Sequence, residues 1–222
     1  MQRGVYLLVL AVLTGLFSCA PSRFVKPLEK NQKALSFSFG GPGIMYSGAP
    51  IPIPFSTLGY AQGLNNSITT FGALHFTSSL FGNLQADLGV SCKLFELKSG
   101  LGMSASPAVQ LAYHVGQTNT LRAWPTGDIN LYYHVFKKPS YLYGGFNAWF
   151  EFSKYKAHGE LQTRHLIPNL QLGYVLIKKK WQHQFEFKFL GLGIPNTPGV
   201  VDYVGVNGKG SMGIYYNLIR TF

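Results

Sequence analysis

The stretch "WQHQFEFKFLG" (181–191) sets the strongest limit on the fold. Trp181, His183, Phe185, Phe187 and Phe189 fall on one parity; Gln182, Gln184, Glu186 and Lys188 fall on the other. A helix advances about 100° per residue and would scatter the aromatics around its girth. A strand sends successive side chains to opposite faces, so only a strand gathers them on one side. The same period of two recurs along most of the chain. "DINLYYHV" sets Ile129, Leu131, Tyr133 and Val135 against Asp128, Asn130, Tyr132 and His134. Phe146, Ala148, Phe150 and Phe152 oppose Asn147, Trp149 and Glu151. Ten such segments stand between Gly, Pro, Asn or Lys clusters: 33–40, 54–63, 67–77, 83–94, 103–114, 120–135, 140–153, 165–178, 181–191 and 209–222. They predict an all-β chain of about ten strands. The first three are the least regular, so eight is the alternative count. Pro107 and Pro168 fall inside predicted strands and cannot donate to a ladder, which predicts bulges or strand ends there.

Alternation does not say which face lies inside. A soluble, lipocalin-like barrel buries its apolar face around a lumen; a membrane barrel turns that face to lipid. Segment length favours the second. The better-defined segments run roughly 10–14 residues, against about 9–11 for a tilted membrane crossing and about 5–6 for an ordinary strand. Charge placement agrees. On the apolar parity Arg220 is ionised near a strand end, whereas Asp87, Lys93, Arg122, Asp128, Glu151, Glu186 and Lys188 take the other parity. A charge at the bilayer midplane costs about 2–4 kcal/mol. The links also alternate. "LNN" (64–66), "KKPS" (137–140) and Lys178–Lys180 are tight, while 41–53, 154–164 and 193–208 are long. The links near 78–82 and 116–119 are short where this asymmetry expects long ones. Hydrocarbon offers no partner to a free N–H, so spanning strands must close into a ring. The expectation is a closed antiparallel up-and-down transmembrane β-barrel.

The amino terminus reads as an export signal. Arg3 precedes the apolar run Val5–Phe17, which is too short to span a bilayer as a helix. "LFSC" (16–19) resembles a bacterial lipobox, which implies cleavage before Cys19 and its lipidation. The alternative is ordinary cleavage after Ala20, with Ser18 and Ala20 as the small pair. The predicted organisation is a signal at 1–18, an extended periplasmic tether at 19–32 and a barrel at 33–222. The ending "SMGIYYNLIRTF" resembles the carboxy-terminal signature of outer-membrane β-barrel proteins, carried by Tyr216, Leu218 and Phe222. That resemblance implies recognition by the barrel-assembly machinery and a Gram-negative outer membrane, with both termini in the periplasm. It also implies contact with outer-membrane lipid and lipopolysaccharide. Arg220 departs from the apolar pattern and is placed to snorkel to head groups.

Little in the chain points to chemistry. His75, His114, His134, His158, His165 and His183 lack metal-ligand spacing, so no metal and no cofactor are predicted. Cys92 is the only cysteine besides Cys19 and reads as a small apolar wall residue. There is no nucleophile elbow, and "GVNGKG" (205–210) lacks the length of a phosphate loop. The net charge of +11 comes from scattered residues with no nucleic-acid-reading motif, so no nucleic-acid partner is predicted. His158, Glu160, His165 and Asp202 are weak candidates for catalysis at the outer rim. The inward charges Asp87, Lys93, Asp128, Glu151, Glu186 and Lys188 either pair across a filled lumen or line a narrow pore, for which Gly89, Gly173 and Gly213 leave room. The leading expectation is a non-enzymatic barrel lipoprotein with a structural, binding or accessory role and an envelope protein partner. The alternatives are a narrow pore, a rim hydrolase of lipid or peptide, and a soluble periplasmic binder.

Overall fold

A computed structural model describes residues 24–116, 121–135, 139–155, 161–196 and 202–222. Its strands are β1 Lys33–Tyr46, β2 Ala49–Pro52, β3 Phe55–Asn65, β4 Ile68–His75, β5 Asn83–Glu96, β6 Leu101–His114, β7 Arg122–His134, β8 Tyr141–Phe150, β9 Leu166–Lys178, β10 Trp181–Pro195 and β11 Lys209–Thr221. A short helix, α1 (Phe76–Leu80), joins β4 to β5. From β3 onward each strand pairs antiparallel with its successor, β1 pairs with β3, and β11 returns to β1. That closing ladder runs from Ala34↔Thr221 to Pro42↔Gly213. Ten strands therefore form a closed antiparallel ring with no free edge.

The ring strands coincide with the ten predicted segments, with most ends shifted by one to three residues. β1 runs further, and β2 arises where the sequence reads as loop. β2 folds back on the far half of β1 from Gly43↔Pro52 to Tyr46↔Ala49. Its turn places Ser47 (φ 50°) and Gly48 (φ 82°) both at positive φ, the twist that two-residue hairpins favour.

Both prolines lie inside strands, where one flanking ladder lapses. Pro107 pairs with Gly127 of β7, but the β5–β6 ladder passes from Gly89↔Ala108 to Cys92↔Ala105 without it. Pro168 pairs with Ala148 of β8, and the β9–β10 ladder has already ended at Phe189↔Leu170. Each missing N–H thus falls where no partner waits for it.

The links sort by end. Residues 66–67, 97–100, 135–140 and 179–180 connect strands at the end where Lys33 and Phe222 meet, here the terminal end. Lys33 and Phe222 exchange backbone hydrogen bonds of 3.1 and 2.9 Å there. The distal end carries the β2 hairpin and 76–82, and β6, β8 and β10 end there at His114, Phe150 and Pro195.

Polarity is inverted relative to a soluble core. Phe37, Ile129, Leu172, Phe185, Phe187 and Ile214 stand exposed on the outer wall. Ser36, Asn130, Asn169, Gln184, Glu186, Lys188 and Asn217 are buried inside. This is the arrangement of a membrane barrel. A soluble binder requires the reverse, so that alternative fails on orientation.

Candidate functional site

The lumen is the one place where the chain concentrates buried polar chemistry, and its terminal half is shaped by residue size. Along β1 and β3–β6 the inward residues there are small: Ala34, Ser36, Ala61, Gly63, Thr69, Ser91 and Ser104. Across the lumen stand Tyr132, Tyr141, Tyr143 and Val175. The small arc leaves space beside the tyrosine wall, and residues 24–28 fill it. Phe24 and Leu28 pack on Ala34, Ala61, Ile219 and Phe71. Val25 packs into Tyr132, Tyr141, Tyr143 and Val175.

Wall hydroxyls satisfy the backbone of this inserted segment. Ser91 Oγ donates to the Phe24 carbonyl at 2.8 Å, and Ser104 Oγ donates to the Val25 carbonyl. Leu28 N–H donates to Thr69 Oγ1 at 2.8 Å. Asn31 N–H reaches the Gly63 carbonyl, and Gly63 N–H reaches the Gln32 carbonyl, each at 2.9 Å. Gly63 is required by this approach, since a Cβ there would lie 2.0 Å from the Glu29 carbonyl oxygen. At the mouth Lys26 pairs with Glu96, which also faces Lys93 Nζ at 3.5 Å. The sequence expects an extended tether over 19–32; residues 24–28 are instead packed in the lumen, and Glu29, Lys30 and Asn31 are exposed. Residues 19–23, including Cys19, lie outside the described residues, as does the signal 1–18.

Above this segment inward side chains are buried against one another. Tyr143 OH donates to Glu186 Oε2 at 2.6 Å and accepts from Gln184 Nε2 at 2.7 Å. Lys188 Nζ lies 3.4 Å from Glu186 Oε1 and 5.6 Å from the Tyr215 ring centre. Asp128 accepts from Asn147 Nδ2 at 3.1 Å and from Gln171 Nε2 at 3.3 Å. Gln171 Nε2 also donates to Asn130 Oδ1 at 2.6 Å, and Asn169 Nδ2 donates to Asn147 Oδ1 at 2.7 Å. Asp87 lies 3.3 Å from His75 Nε2 near the distal end. Glu151 sits just beyond β8 and accepts from Trp124 Nε1 at 2.8 Å. Glu186 and Lys188 thus group with Tyr143, Asp128 is held by Asn147 and Gln171, Lys93 belongs to the mouth, Asp87 faces His75 and Glu151 faces Trp124.

The room expected from inward glycines is already taken. A Cβ at Gly173 would lie 2.4 Å from the Tyr143 hydroxyl. One at Gly213 would meet the Tyr215 ring at 2.7 Å, and one at Gly89 would meet the Phe71 ring at 2.5 Å. Each glycine seats a neighbouring aromatic ring instead of widening a channel.

The rim candidates are not brought together. His165 Nδ1 is 2.7 Å from the Glu151 carbonyl, and its ring stacks on Phe150 at 6.1 Å. Asp202 is engaged through its carbonyl, which accepts from Met45 N–H at 2.8 Å. Among the described residues no hydrogen bond or ion pair joins the two, and His158 and Glu160 lie outside those residues. Among the described residues no three His, Cys, Asp or Glu side chains converge as a metal site. On the outer wall Tyr216 OH lies 2.8 Å from His183 Nδ1, and Phe222 is exposed. Sequence reading missed Phe24, Val25 and Leu28, whose signal is three apolar residues inside a charged, proline-containing stretch. It also missed the His75–Asp87 pair, which is separated by the α1 link.

No protein-family model and no curated protein matches the chain. Among solved structures it is similar to the NanC porin, at 12% identity over 84% of this chain and 98% of that one, with a TM-score of 0.47. It is similar to an outer membrane channel from Pseudomonas putida, at 9% identity over 92% and 100%, with a TM-score of 0.48. It is also similar to the outer membrane protease OmpT from Escherichia coli, at 11% identity over 86% and 97%, with a TM-score of 0.42. A channel and a protease stand side by side here, and likenesses this distant carry no argument about activity. Ring closure, strand length and inverted polarity, all in the chain itself, make it an outer-membrane-type β-barrel of ten strands.

Proposed function

We propose that this protein is a non-conducting outer-membrane β-barrel that serves the envelope as a structural, binding or accessory subunit. The observation that carries this reading is the doubly occupied lumen. Residues 24–28 occupy its terminal half, and the Tyr143–Gln184–Glu186–Lys188 and Asp128–Gln171–Asn147 groups occupy the half above. The test is conductance of the full chain in a planar bilayer. Silence is expected; reproducible unit steps from the unaltered protein would replace this reading with the narrow pore. The rim-hydrolase reading gains no support, because its describable members point to different partners.

The same proposal places the barrel in a Gram-negative outer membrane with the terminal end in the periplasm, since short turns gather at that end. It also places a lipid on Cys19. The lipobox-like "LFSC" (16–19) supports this placement. Metabolic labelling with a fatty acid is expected to mark the unaltered chain and not Cys19→Ala. Equal labelling of both would remove the anchor.

A further inference from the structure

On four neighbouring strands the lipid-facing parity changes character at one level. The outward series on β9 (Leu170, Leu172, Tyr174, Leu176) ends in Lys178, and that on β1 (Phe39, Phe37, Leu35) ends in Lys33. On β10 it ends in Trp181 below Phe185 and Phe187, and on β11 in Arg220 and Phe222 below Tyr216 and Leu218. Register places these residues together: Trp181 pairs with both Lys178 and Arg220, and Arg220 pairs with Leu35. The Arg220 guanidinium lies over the Trp181 ring, 5.3 Å from its centre. The β9–β10 turn adds Lys179 and Lys180, both exposed. The Lys180 carbonyl accepts from Thr221 N–H at 2.8 Å, which ties the turn to the end of β11. Glu186 is the only acid on these four strands, and it points into the lumen.

We propose that this seam between β9 and β1 is a binding surface for anionic phospholipid, in which Lys33, Lys178, Lys179, Lys180 and Arg220 attract phosphate head groups and Trp181 sits at the interface. A lipid is the fitting partner because the cations continue the wall that meets acyl chains. A molecule whose tails lie along Phe185, Phe187 and Tyr216 carries its phosphate to this level. Trp prefers the interface, and cations near a bilayer surface attract anionic lipid. The proposal rests on the outer-membrane reading, and the test separates the two.

The full chain is reconstituted in vesicles of phosphatidylcholine with a minority of phosphatidylglycerol, then extracted by polymer as discs. The lipid ratio in the discs is compared with the bulk. The unaltered protein is expected to enrich phosphatidylglycerol severalfold. The variant Lys178→Gln/Lys179→Asn/Lys180→Gln/Arg220→Gln is expected to lose that enrichment and to return to the bulk ratio. Asn is chosen at 179 because that residue sits at φ 55°. If the variant fails to fold, judged by loss of heat-modifiable migration, the unaltered chain is compared at low and at about 1 M salt, where screening shrinks to roughly 3 Å. Enrichment that survives salt, enrichment retained by a folded variant, or a bulk ratio around the unaltered protein overturns the proposal. Failure of the unaltered chain to enter vesicles at all overturns the membrane reading instead.

Discussion

Glu186 and Lys188 are two positions apart on β10, both are buried, and their charged atoms lie 3.4 Å apart. The parity that exposes Phe185 and Phe187 compels both charges inward, so each needs the other and the Tyr143 hydroxyl. Breaking such a pair from one side leaves the remaining buried charge with less compensation. Glu186→Gln is expected to cost about 3–5 kcal/mol, whereas Glu186→Gln with Lys188→Met is expected to recover most of that loss. Urea unfolding of the lipid-reconstituted protein reads the difference, and equal losses in single and double variants would contradict the coupling. A second residue-level outcome concerns Gly63. Gly63→Ala places a methyl where the Glu29 carbonyl stands. The wall is tied on both sides by ladders to β1 and β4, so the inserted segment must give way. Hydrogen exchange over residues 24–32 is expected to accelerate while the barrel keeps its heat-modifiable migration.

At the scale of elements, the ring strands were legible because lipid enforces a period of two over their full length. β10 is the clearest case, and its outer face is correspondingly intolerant. Phe187→Arg is expected to cost about 2–4 kcal/mol near mid-membrane, and Gln182→Arg, inward near the terminal mouth, far less. β2 was not legible: Pro50 and Pro52 read as breakers, and only the fold-back against Gly43–Tyr46 makes them an outlying strand. Nor was the packing of residues 24–28. Phe24 meets Ser91 and Val25 meets Ser104, contacts across some seventy residues that local pattern does not encode. Among the candidate site residues, parity placed Asp128, Glu186 and Lys188 on the inner face. It could not supply height or partner, because Asp128 reaches past β8 to Gln171 of β9. For the same reason the glycines were misread as space. Gly173 and Tyr143 are cross-strand partners, and only register shows that a ring lies over the gap.

At the scale of the whole molecule, the two occupied layers stand in series along one axis, which makes a prediction distinct from that of a simple plugged pore. If the inserted segment alone blocked an otherwise open channel, loosening it would produce current. Here Phe24, Val25 and Leu28 supply the segment's buried apolar contacts. Replacing all three with Ser is expected to release it, since each buried side chain of this size contributes about 1.5–3 kcal/mol. The terminal half would then fill with water. Conductance is nevertheless expected to stay absent, because Tyr143, Gln184, Glu186 and Lys188 still occupy the cross-section above and remain buried against one another. Current is expected only when that layer is thinned as well, by adding Tyr143→Ala and Glu186→Ala to the triple variant. Neither change alone removes both barriers, so planar-bilayer recordings of the segment variant, the layer variant and their combination should be silent, silent and conducting. Conductance from the segment variant alone would show that the upper layer does not seal. The protein would then be a gated pore, and the accessory role proposed for it would have to be abandoned.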